Sequence, residues 1–198
     1  RIEGTANTIL NETVNAPSTC DVIPTATTTP ITVSTTIGTR AICVLQALQQ
    51  QNKLTYQTTK LSFGFLLDRI NDASNAADFS QSWIVYKNNV TAQVGIGDLD
   101  LIQGDELLLT YGSWPSPPLA ITVSSSTLRV GSTTTLSAAV YNEGGTLVPW
   151  TGQTTFYLGG SATTSPNGTL VWPPETSATI SVWAEASGKT RSKKNAIS

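Results

Sequence analysis

The sequence predicts a mainly β protein in two parts, a mixed sheet that holds one helix and then a β-sandwich. Charged residues make up only 12% of the chain and hydrophobic residues 39%, which is too apolar for a disordered chain and too sparsely charged for a typical cytosolic helical protein. Thr and Ser together supply about a quarter of the residues, and β-branched Thr favours the half-buried surface of a sheet. A cluster of prolines separates the two parts.

The proline cluster predicts a domain boundary. Three prolines lie within residues 115–118, and proline cannot donate to a sheet ladder and favours an extended connection. The length of the chain suits two domains of ordinary small size. We therefore predict a first domain over residues 1–112, a linker over residues 113–118 and a second domain over residues 119–198.

The first domain is predicted to place strands around a single helix. Residues 1–5 and 8–14 have strand-like composition, which indicates a hairpin or a bent first strand. After a loop rich in Thr and Pro, a helix is predicted with Thr39 as its N-cap and apolar residues at helical spacing. The apolar residues of this helix are Ala41, Val44, Leu45 and Leu48. Further strands are predicted over residues 61–67, 83–87, 90–92 and 106–111.

The second domain is predicted to be a sandwich of short strands. Strand-like segments recur every ~8–12 residues and are separated by turns rich in Gly, which is typical of sandwiches. These segments span residues 120–124, 134–141, 154–158, 169–172 and 179–185. Alternation of apolar and polar residues predicts sheets with one buried face. We also expect the large rings of Trp83, in the first domain, and Trp183, in the second, to lie in the cores.

Cys20 and Cys43 are the only cysteines. Their even number, in a chain with the features of an exported protein, predicts a disulfide that ties the loop after the opening strands to the helix. The alternative is two buried, unpaired thiols that pack as small hydrophobic side chains. The chain also contains no Met, which predicts that a signal peptide has been removed before residue 1.

Four segments of the first domain carry a resemblance to a known family. They read R-I-E-G at residues 1–4, A-I-C-V-L-Q-A-L at 41–48, W-I-V-Y-K-N-N at 83–89 and Q-G-D-E-L-L-L-T-Y at 103–111. In this order they resemble the C-terminal domain of transcobalamin, and the resemblance implies a β-grasp fold over residues 1–112. The family usually has Gly at the position of Asn89.

The second domain resembles the immunoglobulin-like domains of bacterial surface proteins. The resemblance rests on L-R-V-G-S-T-T-T-L-S-A-A-V-Y at residues 128–141, V-P-W-T-G-Q-T-T-F at 148–156 and S-P-N-G-T-L at 165–170. It implies an immunoglobulin-like β-sandwich. The Cys-Trp-Cys pattern of antibody domains does not occur, so the resemblance is to the wider sandwich class.

We expect no enzymatic activity, and we predict no catalytic, cofactor-binding or metal-binding residue. The sequence contains no histidine, which excludes Ser-His-Asp and Cys-His mechanisms and His-ligated zinc. Two cysteines cannot form a four-thiolate zinc site. One cluster of carboxylates is interpreted as solvated loop charges, with a cation site and carboxylate catalysis as the alternatives. It consists of Asp98, Asp100, Asp105 and Glu106.

The charge pattern limits the partners. The net charge is −2, and the chain lacks the basic face with interleaved aromatic residues that nucleic-acid binding requires. It also lacks a run of about 18 apolar residues, so we predict no membrane span. The expected partners are copies of the same chain or other surface proteins, with glycans as a further candidate.

Three asparagines are predicted to be N-glycosylation sites. Asn11, Asn89 and Asn167 each begin an Asn-x-Thr triplet. Asn89 and Asn167 also lie in turn-like sequence, where exposure is expected. The alternative is that these two residues serve only to form tight turns.

These observations lead to the expectation of an extracellular structural or adhesive cell-surface protein that assembles head to tail into a fibre by strand addition. Residues 1–14 are the preferred donor, because four apolar side chains can fill a groove. These are Ile2, Ile9, Leu10 and Val14. In the competing interpretation, the terminal segments pair within their own domains. The alternative function is a small-molecule or glycan-binding module of an exported protein.

Overall fold

The computed structural model describes residues 1–125, 130–174 and 179–198. The fold is mainly β, with 46% of residues in strands and 5% in helix, which confirms the predicted fold class. The chain divides into two compact units, Arg1–Trp114 and Pro115–Ser198, and each is described by itself. The boundary between the two units falls within the predicted linker, residues 113–118.

The first unit contains strands β1 to β12 and one helix, α1. In chain order these elements are β1 Ile2–Glu3, β2 Thr8–Leu10, β3 Thr19–Val22, β4 Ile31–Ser34, β5 Thr39–Arg40, α1 Ala41–Gln50, β6 Tyr56–Leu61, β7 Gly64–Ile70, β8 Ala73–Ser74, β9 Ser82–Lys87, β10 Val90–Thr91, β11 Asp100–Leu101 and β12 Leu107–Gly112. The main sheet has the order β10-β9-β12-β1-β2, and β3-β4, β5-β11 and β6-β7-β8 form smaller sheets. The main sheet is mixed, because β1 runs parallel to β12 while its other pairs are antiparallel.

Helix α1 packs its apolar face into the core of the first unit. Ile42, Cys43 and Leu45 are fully buried, and they share one core with Trp83 and Leu109 of the main sheet. This burial, and not a side-chain cap, stabilises the helix, because most helical stability in proteins comes from packing of an apolar face.

The predicted N-cap of α1 was wrong. The cap position is Arg40, which makes no side-chain capping bond. Thr39 lies one residue earlier, in β5, and its hydroxyl donates to the carbonyl oxygen of Pro17 at 2.6 Å. The pairing of β5 with β11 therefore determines where the helix begins.

A hairpin occupies the place of the single strand predicted over residues 61–67. Strand β6 ends at Leu61 and β7 begins at Gly64, whose φ of 122° is accessible to glycine. The predicted turn at Asn88-Asn89 is present, with φ of 52° and 64° at the two residues. These angles suit a two-residue hairpin turn between β9 and β10.

The second unit is a sandwich of two four-stranded sheets. Its strands are β13 Leu119–Val123, β14 Thr134–Tyr141, β15 Leu147–Pro149, β16 Thr154–Leu158, β17 Ser161–Ser165, β18 Thr169–Trp172, β19 Ile180–Glu185 and β20 Asn195–Ile197. One sheet joins β14 to β13, β15 and β18, and the other has the order β17-β16-β19-β20. Leu136 from the first sheet and Phe156 and Val182 from the second are fully buried in the shared core.

The first motif of the immunoglobulin-like resemblance, at residues 128–141, includes residues 128 and 129, which lie outside the described residues. Residues 116–118 of the predicted linker lie against Thr190 within the second unit. The Thr190 hydroxyl donates to the Ser116 carbonyl oxygen at 2.8 Å, and the Thr190 amide donates to the Pro117 carbonyl oxygen at 3.2 Å.

The core prediction is confirmed for Trp83, which is buried, and was wrong for Trp183. Side chains alternate along β19, and Val182 and Ala184 are the residues that fill the core. Trp183 therefore lies on the outer face, where its ring stacks on that of Tyr157 at 3.7 Å between centroids.

Cys20 and Cys43 form the predicted disulfide, with a Cα–Cα distance of 5.5 Å. The bond joins β3 to α1, and both cysteines are buried in the first core. It therefore connects the segment that follows β2 to the centre of the unit.

Replacing both cysteines by Ala should lower the free energy of unfolding of the first unit by about 3 kcal/mol, because the bond closes a loop of 23 residues' separation in the unfolded chain. Denaturant titration of the variant checks this value. Reductant should shift the transition of the wild type and leave that of the variant in place, and equal responses to reductant would contradict the prediction.

Gly38 should tolerate no side chain. Its φ is 105°, and an added Cβ would lie 2.1 Å from the carbonyl oxygen of Leu101. Gly104 has a similar φ of 93° but open space around it, so Gly104→Ala should cost only the left-handed strain of about 1 kcal/mol. We expect Gly38→Ala to cost about 3 kcal/mol. Denaturant titration of both variants separates the cost of the steric clash from that of the left-handed backbone. Equal losses in the free energy of unfolding would contradict the prediction that Gly38 tolerates no side chain.

Candidate functional site

The opening hairpin completes one side of the main sheet. Strands β1 and β2 are joined by a tight turn in which the Gly4 amide donates to the Asn7 carbonyl oxygen at 2.8 Å. Strand β1 lies between β12 and β2, so β2 forms the outer edge of the sheet. An edge strand leaves backbone groups that another strand can pair with.

The hairpin is attached to the rest of the sheet through β12. Ile2 lies opposite Leu109 and Glu3 opposite Thr110 in a parallel register. The amide of Leu109 donates to the carbonyl oxygen of Arg1 at 2.9 Å. The edge of β12 is therefore the surface that receives residues 1–14 within the chain.

The four predicted assembly residues face the core of their own unit. Ile2 is 3% exposed and belongs to the buried core. Ile9, Leu10 and Val14 are partly buried and pack against the same core. In this single chain the segment thus pairs within its own domain, and the groove that it fills is made by the rest of the first unit.

A buried carboxylate lies on the opposite face of β1. Glu3 is 1% exposed, and the hydroxyl of Thr8 lies 3.0 Å from both of its carboxylate oxygens. The Nε atom of Arg1 lies 3.6 Å from Oε1 of Glu3, and both side chains are almost fully buried. A counter-charge and a hydrogen-bond donor of Glu3 therefore belong to the same hairpin.

A small apolar cluster lies on that same face of the sheet. It consists of Ile84, Tyr86 and Leu108. Burial raises the pKa of Tyr86 to about 12, although a hydrogen bond with the Thr91 side chain acts in the opposite direction. The face is thus apolar enough to disfavour charge, which makes the local compensation of Glu3 necessary.

An exposed segment connects the hairpin to the disulfide-linked part of the unit. Residues 11–18 have no strand or helix, and all but Val14 and Ala16 are exposed. Glu12 pairs with Lys53 in a partly exposed ion pair. Apart from this pair and the bond from Thr39 to Pro17, few contacts hold the connection.

The three predicted glycosylation sites differ in exposure. Asn11 is exposed and directly follows β2, and Asn89 is half-buried in the β9–β10 turn. Asn167 is exposed, but its side-chain oxygen accepts bonds from the Ser165 hydroxyl at 2.9 Å and the Thr169 amide at 3.3 Å. Modification of these residues stays a prediction.

The acidic cluster is held by basic and amide partners. Asp100 pairs with Arg40 at 3.1 Å and Asp105 with Lys87 at 2.9 Å. Burial opposes ionisation of Asp105, but hydrogen bonds from the Ile102 amide, Asn88 and Lys87 lower its pKa below the ordinary value. In the described ranges, no group of three or more acidic, Cys or His side chains could hold a metal ion.

The group formed by Arg1, Glu3 and Thr8 was not predicted from the sequence. The only signal was a charged residue between Ile2 and Gly4 in a segment otherwise read as strand. That signal could not show burial, because the covering partner, β12, begins at Leu107.

Comparison with known proteins gives one result. Residues 38–113 match the model of a family described as "Domain of unknown function (DUF4430)". This match and the mainly β structure support the coarser part of the resemblance, a recognised β domain in the first unit. The hairpin over residues 1–14 precedes the matched stretch. A search of curated proteins and a search of solved structures found no match.

The described part of the chain contains no helix that is long and apolar enough to cross a membrane.

Glu3→Gln should lower the free energy of unfolding by about 3 kcal/mol, because it removes a negative charge that lies beside the buried Arg1 side chain. Glu12→Gln removes a pair whose side chains are 28% and 39% exposed, and it should cost less than about 1 kcal/mol. Denaturant titration of the two variants checks this contrast. Similar small losses in both would show that the Glu3 pair is not electrostatically important.

Proposed function

We propose that this chain is an extracellular structural or adhesive protein of a cell surface that assembles head to tail by strand addition. The donated element is the hairpin of residues 1–14, and the acceptor is the edge of β12 in the next copy. In this proposal the first unit is a transcobalamin-like β-grasp domain and the second an immunoglobulin-like domain. No catalytic role is assigned to either.

The attachment of the hairpin at β12 is the observation that carries the proposal. The hairpin adds two strands to a sheet that is otherwise β10-β9-β12, and its apolar residues fill a groove in the remainder of the unit. The same contacts would be available to the hairpin of a neighbouring copy. A heterologous contact of this kind that does not close into a ring gives a filament.

The electrostatics of the hairpin support its exchange. Moving a buried charge away from its partner is costly, but Glu3 would travel together with Arg1 and Thr8. The exposed connection over residues 11–18 would have to change direction, and it holds few contacts that oppose this change. Exchange of the hairpin between copies thus replaces each contact within one chain by the same contact between two chains.

The disulfide supports an extracellular location. Disulfides persist in oxidising compartments and are rare in the cytosol of most organisms. The Cys20–Cys43 bond is buried within the core of the first unit, so it stabilises the fold.

The alternative, a small-molecule or glycan-binding module, has weaker support. A flat, open aromatic ring is the usual platform for a sugar, and Trp183 lies on an outer sheet face. One face of its ring is stacked on Tyr157, and the guanidinium of Arg191 lies over the ring at 5.0 Å. The ring is therefore engaged by its own unit. Binding assays with corrinoids and with glycans would test this alternative.

Shortening the connection should promote assembly. Deleting residues 15–17 removes about 10 Å of reach, which strains the hairpin in its own domain but leaves it free to pair with a neighbour. We expect the shortened variant to form oligomers at concentrations where the wild type is mainly monomeric. Sedimentation velocity over a range of concentrations measures the difference, and electron microscopy shows whether fibres form.

The matched control is a variant with four Gly and Ser residues inserted after Asn15. It lengthens the connection with flexible residues and should be no more prone to assemble than the wild type. Monomers in all three proteins at high concentration, together with a native preparation without fibres, would overturn the proposal.

A further inference from the structure

The tip of the β3–β4 hairpin is a cluster of exposed Thr residues. It spans residues 23–30, of which only Pro24 is buried. The exposed Thr residues are Thr25, Thr27, Thr28 and Thr29. Strands β3 and β4 form a four-residue ladder beneath the tip, and the disulfide fixes β3 to α1. The cluster is therefore presented on a firmly held base.

The hydroxyls of this tip are available for reaction. Thr27 donates to the carbonyl oxygen of Thr29 in a long bond of 3.3 Å. In the part of the chain that the structure describes, the hydroxyls of Thr25, Thr28 and Thr29 make no hydrogen bond. Thr29 precedes Pro30, and a residue before proline is restricted to extended backbone that an enzyme can bind.

The stretch around the tip has a composition that favours aggregation, and attached sugars would increase its solubility. Residues 22–39 contain no charged residue, are rich in β-branched side chains, and expose Ile23 and Ile37, each at 58%. Uncharged segments of this composition are prone to β aggregation, and charged residues usually protect them. Bulky hydrophilic groups on the tip would supply the same protection.

We infer that Thr25, Thr27, Thr28 and Thr29 are acceptors for O-linked hexose. In the transfer, the Thr Oγ forms a bond to C1 of a hexose activated as a phosphate ester on a nucleotide or lipid carrier. The C1–O bond to phosphate breaks, the phosphate leaves with the electron pair, and the hydroxyl proton passes to a base of the transferase. Ser/Thr-rich segments with Pro are typical acceptors of such sugars.

Exposed Thr residues in strands provide a contrast. Thr163 and Thr164 are exposed in β17, but they are paired with β16, and the Thr164 hydroxyl lies 3.1 Å from that of Thr155. A transferase would have to open this ladder to bind the acceptor in extended form. The tip is therefore the preferred site although all these hydroxyls face solvent.

The test uses the full chain secreted by its natural source. After reduction and alkylation of the disulfide, trypsin releases residues 2–40 as one peptide that also contains Asn11, so N-linked glycans are first removed enzymatically. Electron-transfer fragmentation then locates any remaining sugar. A variant carrying Thr27→Val, Thr28→Val and Thr29→Val keeps the β-branched shape, and Thr163→Val with Thr164→Val is its matched control.

We expect mass increments of whole hexoses on the tip in the wild type and in the β17 control. In the tip variant, the increments on residues 27–29 should be lost while the melting temperature stays unchanged. A bare tip in the secreted wild type would overturn the inference, as would sugar on β17 at the same occupancy as on the tip. Mapping of the sugars on the wild type tests the inference even where a variant fails to fold. The inference requires export but not fibre formation, so the absence of assembly would not contradict it.

Discussion

Strand β12 is hydrogen bonded on both edges, to β9 and to β1, and the rest of the first unit is organised around it. Its successive side chains enter different environments: Leu109 fills the core shared with α1, and Leu108 joins the small cluster on the other face. Both are almost fully buried. A slip of one residue would exchange the two faces, so this strand fixes the register of its neighbours.

Each unit contains a buried charged side chain whose oppositely charged partner lies nearby in the sequence. In the first, Glu3 is matched by Arg1 two residues away. In the second, Arg191 is 8% exposed, and its Nε donates to Oε1 of Glu185 at 2.7 Å while its guanidinium lies over Trp183. Each of these two buried side chains thus has an opposite charge within the same hairpin or in an adjacent segment.

Composition, turn chemistry, apolar spacing and the even number of cysteines were enough to predict the mainly β fold, the helix and the disulfide. Strand β15 was missed because it has only three residues, and β17 because it consists of Ser, Thr and Ala without apolar alternation. Alternation along β19 was evident, but it could not show whether Trp183 or Val182 faces the core. The hairpin was visible as strand-like sequence, whereas the burial of Glu3 depends on a partner strand far along the chain.

The parallel pairing of β1 with β12 joins the first strand of the unit to its last. A chain made from its N-terminus can form α1 and the β6–β7 hairpin from local contacts, while the opening hairpin waits for β12. If the hairpin is donated between chains, as we propose, this delay exposes it to the β12 of a neighbouring chain. The local density of folding chains, and the time that each one waits, would then govern how often two chains become joined, independently of which product is more stable at equilibrium.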